Sequence, residues 1–80
     1  MLEQKQVLEY AIKGINAQID ELEKTINQGK QFLKQYENGE KPKTPKAPHE
    51  IKKIIQEKKD EIEKLAKDKN ELYFMLDELQ

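Results

Sequence analysis

Apolar residues in the first half of the chain recur by alternating steps of four and three, with charged and amide residues between them. This spacing is typical of the seam of a coiled coil. The seam residues are Leu8, Ile12, Ile15, Ile19, Leu22, Ile26, Gly29, Leu33 and Tyr36. Taking Ile12 as heptad position a places these residues alternately at a and d. The repeat predicts one long amphipathic helix over about residues 2–38.

The second half of the chain carries the same alternation, with lysines at two of its seam positions. The seam residues are Ile51, Ile55, Lys58, Ile62, Leu65, Lys69, Leu72, Leu76 and Leu79. A lysine stem can lie along an apolar seam while its ammonium group stays in water. These lysines therefore predict either places where the seam is open to solvent or residues that set the register at some cost in stability. The repeat predicts a second helix over about residues 48–79.

The segment "NGEKPKTPKAPHE", residues 38–50, separates the two repeats and contains all the prolines of the chain. Gly39 can adopt the left-handed conformation that ends a helix, and Pro48 suits the first position of the next one. The two earlier prolines lack an amide hydrogen and favour extended backbone. We therefore expect a solvated, polyproline-like connector over about residues 39–47.

The nearest partner for each seam is the other helix of the same chain. The sequence thus predicts a single all-α domain over residues 1–80, an antiparallel two-helix coiled-coil hairpin. In the register that uses both helices most fully, a positions of one helix lie beside d positions of the other. It pairs Leu33 with Ile51, Gly29 with Ile55, Leu22 with Ile62, Ile19 with Leu65, Ile12 with Leu72 and Leu8 with Leu76.

A hairpin of this size leaves each seam partly exposed, because a chain of 80 residues buries little apolar surface. Disulfides are excluded since there is no cysteine. We therefore expect a homo-oligomer in which two hairpins form a four-helix bundle. The heptad g positions, which we call the g-side face, are the less charged flank. They include Ala11, Gln18, Thr25, Phe32, Ile54 and Met75.

The open end of the hairpin, opposite the connector, is unusually apolar. The run "LYFML", residues 72–76, presents apolar side chains all around the second helix, and Tyr10 and Phe74 occupy f positions that normally face water. Two interpretations stay open, packing within a homo-oligomer and a site for a partner protein. The predicted interface residues are Tyr10, Phe32, Ile54, Tyr73, Phe74 and Met75.

Residues suited to catalysis are scarce. The chain has no serine, cysteine or arginine, and its single histidine, His49, stands at a predicted helix start beside Glu50. We expect no catalytic, metal-binding or cofactor-binding residues, and therefore no enzymatic activity. The predicted function is that of a small protein–protein interaction module, an adaptor, inhibitor or scaffold with an unidentified protein partner.

The connector supports an alternative function. Its lysines Lys41, Lys43 and Lys46 stand against Glu40, which gives the segment a net charge of plus two. Such a basic tip could contact the phosphate backbone of nucleic acid, weakly and without sequence readout. The alternative is an accessory protein of replication or transcription. The competing interpretation is a plain connector whose lysines keep it soluble.

The first residues of the chain and its composition indicate where the protein is located and what kind of organism it comes from. The first residues, "MLEQKQVLEY", include Glu3 and lack the apolar run of a signal peptide, and no stretch of the sequence could span a membrane. We expect a cytoplasmic protein. A composition rich in lysine and isoleucine but without arginine is typical of AT-rich genomes and suggests a bacterial or phage source.

Overall fold

A computed structural model describes residues 3–79 of the chain. It contains helix α1 (Gln4–Glu37) and helix α2 (Pro48–Glu78), which pack against each other in an antiparallel hairpin. The hairpin is a rod of about 55 × 20 × 16 Å. The predicted all-α hairpin is confirmed. Its helix boundaries lie within two residues of the predicted ones, and residue 2, the predicted start of the first helix, lies outside the described residues.

The heptad seam predicted from the sequence is the buried seam of the hairpin. Every predicted position from Leu8 to Tyr36 in α1, and from Ile51 to Leu76 in α2, is buried or half-buried. The exception is Leu79 at the end of the second seam, which is 44% exposed. The periodicity of the sequence therefore determines which face of each helix meets the other.

The most deeply buried side chains lie toward the two ends of the seam. Ile26, Ile51 and Ile55 form a buried cluster near the connector, while Leu8 and Ile12 are buried near the open end. The seam residues between these two regions are only half-buried. The lysines of the second seam lie in this middle stretch, so the predicted opening to solvent is confirmed.

Gly29 marks a very close approach of the two helices. A Cβ atom built on Gly29 would lie 3.0 Å from Ile55 Cγ1 and 3.3 Å from Ile51 Cγ2. These distances confirm the predicted pairing of Gly29 with Ile55. A glycine fits here because any larger side chain would push the helices apart or displace two buried isoleucines.

Both ends of the connector have the capping structures that the sequence predicts. Gly39 is left-handed with φ 77°. Its N–H donates to the Tyr36 carbonyl at 3.1 Å, and the Glu40 N–H donates to the Gln35 carbonyl at 2.9 Å. This pair of bonds is a Schellman motif, which satisfies the last carbonyls of α1. Pro48 opens α2, where its missing N–H costs no hydrogen bond.

We predict opposite effects for alanine at two helical glycines. A Cβ at Gly14 would have no atom within 4 Å. Gly14→Ala should therefore raise the free energy of unfolding by about 0.5–1 kcal/mol through helix propensity alone. At Gly29 the same gain is opposed by overpacking, which typically costs about 1–3 kcal/mol. Gly29→Ala should lower stability, and urea unfolding of both variants measures the contrast. Equal gains at the two positions would contradict the close packing described above.

Candidate interaction surfaces

The open end carries a band of exposed apolar side chains around the hairpin. Exposure ranges from 44% at Leu79 to 66% at Phe74. We call this set the open-end band, and its members are Val7, Tyr10, Tyr73, Phe74, Met75 and Leu79. The structure thus places four of the predicted interface residues together at one end of the rod. They are Tyr10, Tyr73, Phe74 and Met75.

Acidic residues flank the open-end band on α2. Glu71, Asp77 and Glu78 lie within residues 71–79, a stretch without any lysine, whereas the acids and lysines of residues 3–13 balance. All three carboxylate side chains are exposed. The band is therefore an apolar surface with an acidic margin, and a partner with basic residues around an apolar contact would complement it.

The other two predicted interface residues, Phe32 and Ile54, lie near the connector and are half-buried. From the sequence we also expect both side chains to lack cover within the chain, which is wrong for Phe32, because it packs against the cluster of Ile26, Ile51 and Ile55. Phe32 and Ile54 line a groove of about 120 Å³ on the g-side face. They contribute to the packing of the hairpin and still present part of their surface at this groove.

A larger groove of about 670 Å³ adjoins the first one on the g-side face, and Thr25 lines both. Its floor includes the seam leucines Leu22 and Leu65, and acidic and basic side chains stand at its edges. Lys58 is a seam residue that also lines this groove. Its ammonium lies 3.8 Å from the carboxylate of Glu61, another lining residue.

The second seam lysine is held on the opposite flank. Lys69 Nζ donates a hydrogen bond to Asn16 Oδ1 across the two helices at 3.1 Å. Asn16 occupies an e position, so the lysine turns away from the g-side face. Each seam lysine therefore has a polar partner and keeps its charge near solvent, in agreement with the expected behaviour of lysine in a seam.

The surface area of the hairpin is large for its mass. One chain of 9.5 kDa exposes 6435 Å², whereas a compact monomer of that mass exposes about 5,000 Å². The excess arises because a rod of two helices has no third element to cover its flanks. The excess of about 1,400 Å² is larger than the roughly 800 Å² that each partner buries in a protein interface of standard size.

The connector is tied to α1 more closely than the sequence suggested. The Tyr36 hydroxyl donates to the Lys46 carbonyl at 2.9 Å, and the Lys46 N–H donates to Thr44 Oγ1 at 3.3 Å. A further bond joins the Thr44 N–H to the Pro42 carbonyl at 2.9 Å. The segment therefore contains a tight turn that a polyproline-like spacer would lack, while most of its residues are exposed as expected. Lys41, Lys43 and Lys46 are all exposed on it.

Among residues 3–79 no group of three or more histidine, cysteine or acidic side chains is arranged to hold a metal ion. His49 is exposed in the first turn of α2. Neither helix, within the described part of the chain, carries an apolar stretch long enough to cross a bilayer.

Comparisons of the chain with protein-family models, with curated proteins and with solved structures found no match.

We predict that Tyr36→Phe slightly destabilises the hairpin. It removes the hydroxyl that bonds to the Lys46 carbonyl. A bond of this kind contributes about 0.5–1.5 kcal/mol, and partial exposure of the tyrosine favours the lower value. Thermal unfolding measures the loss. Tyr10→Phe is the matched control, because the Tyr10 hydroxyl has no hydrogen-bond partner among the described residues. Equal effects of the two changes would show that the bond to Lys46 contributes nothing.

We also predict that the connector lysines are dispensable. Replacing Lys41, Lys43 and Lys46 together by glutamine should leave helicity and oligomeric state unchanged, since none of their side chains makes a hydrogen bond or ion pair within the described structure. Circular dichroism and light scattering measure this. The nucleic-acid alternative predicts that the wild type binds nucleic acid and that the triple variant does not. The logarithm of the wild-type affinity should then fall with the logarithm of the salt concentration with a slope of about three or less. Such binding would overturn the assignment of the segment as a connector.

Proposed function

We propose that the protein is a small, non-enzymatic protein–protein interaction module, acting as an adaptor, inhibitor or scaffold. The observation that carries the proposal is the open-end band. Single exposed apolar residues are ordinary on a protein surface, but six large ones at one end of a rod favour an interaction site there. The band contains tyrosine, phenylalanine and methionine, which are the residues enriched in protein interfaces.

The geometry of the hairpin supports a site at this end rather than along the rod. The open end is held by the buried pair Leu8 and Ile12, so the aromatic side chains project from packed helices. A surface that is already ordered loses little conformational entropy on binding. The partner that suits it presents an apolar helix or groove flanked by basic residues, which would meet Glu71, Asp77 and Glu78.

We further propose that the module acts as a homo-oligomer, with two hairpins forming a four-helix bundle through the g-side face. The two adjoining grooves on that face and the excess surface area support this. A second copy would cover the seam leucines that line the larger groove. Oligomerisation would thus provide the cover that a two-helix chain cannot provide for itself.

We predict that Tyr73→Glu combined with Phe74→Glu abolishes capture of the protein partner. The two side chains are 45% and 66% exposed, so charges there should not unfold the hairpin. They should repel an apolar partner surface. The measurement is capture of native partners by the immobilised protein, quantified by mass spectrometry for the wild type and the variant, with circular dichroism to verify folding.

The matched control adds the same charge to α1 near the connector. Asn27→Glu with Gln31→Glu introduces two carboxylates at exposed polar positions far from the band and should capture the partner normally. A Tyr73, Phe74 variant that loses its oligomeric state but keeps partner capture would assign the band to self-association and remove it as the partner site.

A further inference from the structure

We infer that two copies of the chain pack through the g-side face with their connectors at the same end, so that α1 of each copy lies on α2 of the other. This inference rests on the proposed dimer and specifies its arrangement. The occupant of the larger groove is then the second copy. Which arrangement forms depends on which residues share a level along the rod.

The levels follow from the observed register. Gly29 lies against Ile55, and Asn16 accepts a hydrogen bond from Lys69. Counting outward from these contacts places the g positions of the two helices side by side in pairs. The pairs are Ala11 with Met75, Gln18 with Asp68, Thr25 with Glu61, and Phe32 with Ile54.

Two arrangements bring one g-side face onto another with two-fold symmetry. If the connectors lie together, α1 of one copy meets α2 of the other at equal levels. Phe32 then meets the second copy's Ile54, and Ala11 meets its Met75. Between these apolar ends lie the neutral polar side chains of Gln18 and Thr25. Gln18 faces the second copy's Asp68, and Thr25 faces its Glu61. No like charges are brought together on this face.

Charges at the edges of the larger groove favour the same arrangement. Glu21 and Lys64 line opposite edges of the groove, at neighbouring levels on α1 and α2. With the connectors together, Glu21 of each copy lies beside Lys64 of the other, which makes two pairs of opposite charge per dimer. In the hairpin itself Glu21 is paired with Lys24 at 3.3 Å, and both side chains are 75% exposed, so this local pair is weak.

The opposite arrangement, with the connectors at opposite ends, is less favourable. It stacks α1 on α1 and α2 on α2. When the apolar ends are matched, so that Met75 meets the second copy's Ile54, Asp68 of each copy faces Glu61 of the other. Two acid–acid contacts would then lie within the interface, where partial burial makes repulsion stronger than at the open surface. The charges of the face therefore select the arrangement with the connectors together.

A charge exchange tests the contact between Glu21 and Lys64. Glu21→Lys alone and Lys64→Glu alone each turn two attractive contacts into two repulsive ones, and each should weaken dimerisation about tenfold. An equimolar mixture should recover the wild-type affinity, because both contacts of the mixed dimer are again attractive. Asp20→Lys, a neighbouring reversal outside the g-side face, is the control and should have little effect. A mixture that dimerises as poorly as its components would overturn the contact.

The orientation is measured with spin labels, since the chain has no cysteine of its own. A label on Lys43→Cys lies in the connector, and one on Lys59→Cys lies midway along α2. Light scattering should give twice the 9.5 kDa of one chain, and the Lys59 label should report a distance well below the 55 Å length of the rod. The Lys43 label should report a similarly short distance.

A dimer whose Lys43 labels are separated by about the length of the rod would overturn this inference alone. A monomer at all concentrations would overturn the proposed oligomer together with it.

Discussion

The structure depends on one constraint, which is that two helices alone share a single apolar seam. Each seam side chain is covered by the opposite helix on one side and left open on the flanks, so only five seam residues are buried in the described part of the chain. Gly29 allows a close approach of the two helices beside Ile51 and Ile55. Farther along, the seam lysines prevent it. The middle of the rod is therefore open, and both grooves of the g-side face result from the same shortage of apolar cover.

The lysines in the seam also restrict how the chain can assemble. Replacing Lys58 by an apolar residue would make the seam continuous at this position, but would remove the ion pair with Glu61. Polar residues in a helical interface commonly fix register at a cost in stability. In this hairpin the polar seam residue with that effect is Lys69, which is hydrogen-bonded to Asn16 on the other helix. A shifted register would separate the two side chains and leave the lysine in the seam without its amide partner.

Much of the fold could be predicted because coiled-coil periodicity is local information. The spacing of apolar residues identified the seam, and Gly39 and Pro48 marked where α1 ends and α2 begins. The bond from Tyr36 to the Lys46 carbonyl was not foreseeable, because a hydroxyl-to-backbone contact across a connector leaves no periodic signal. The cover that Phe32 receives was missed for a related reason. A heptad wheel assigns residues to flanks but does not show how far a large ring reaches back over its own core.

The orientation of the two copies in the proposed dimer determines where their open-end bands lie. With the connectors together, both open-end bands point in one direction, and the exposed lysines of both connectors gather at the other end. Such a dimer would present two apolar surfaces with acidic margins side by side. A partner with two matching sites would gain from effective concentration without any stronger single contact. With the connectors apart, the bands would lie at opposite ends and the same dimer would bridge two separate partners.

The charged residues that distinguish these arrangements lie outside the open-end band. They are Glu21, Lys64 and the two g-position acids, Glu61 and Asp68. In the proposed dimer, the valency of the module would thus be determined by residues outside the proposed partner site.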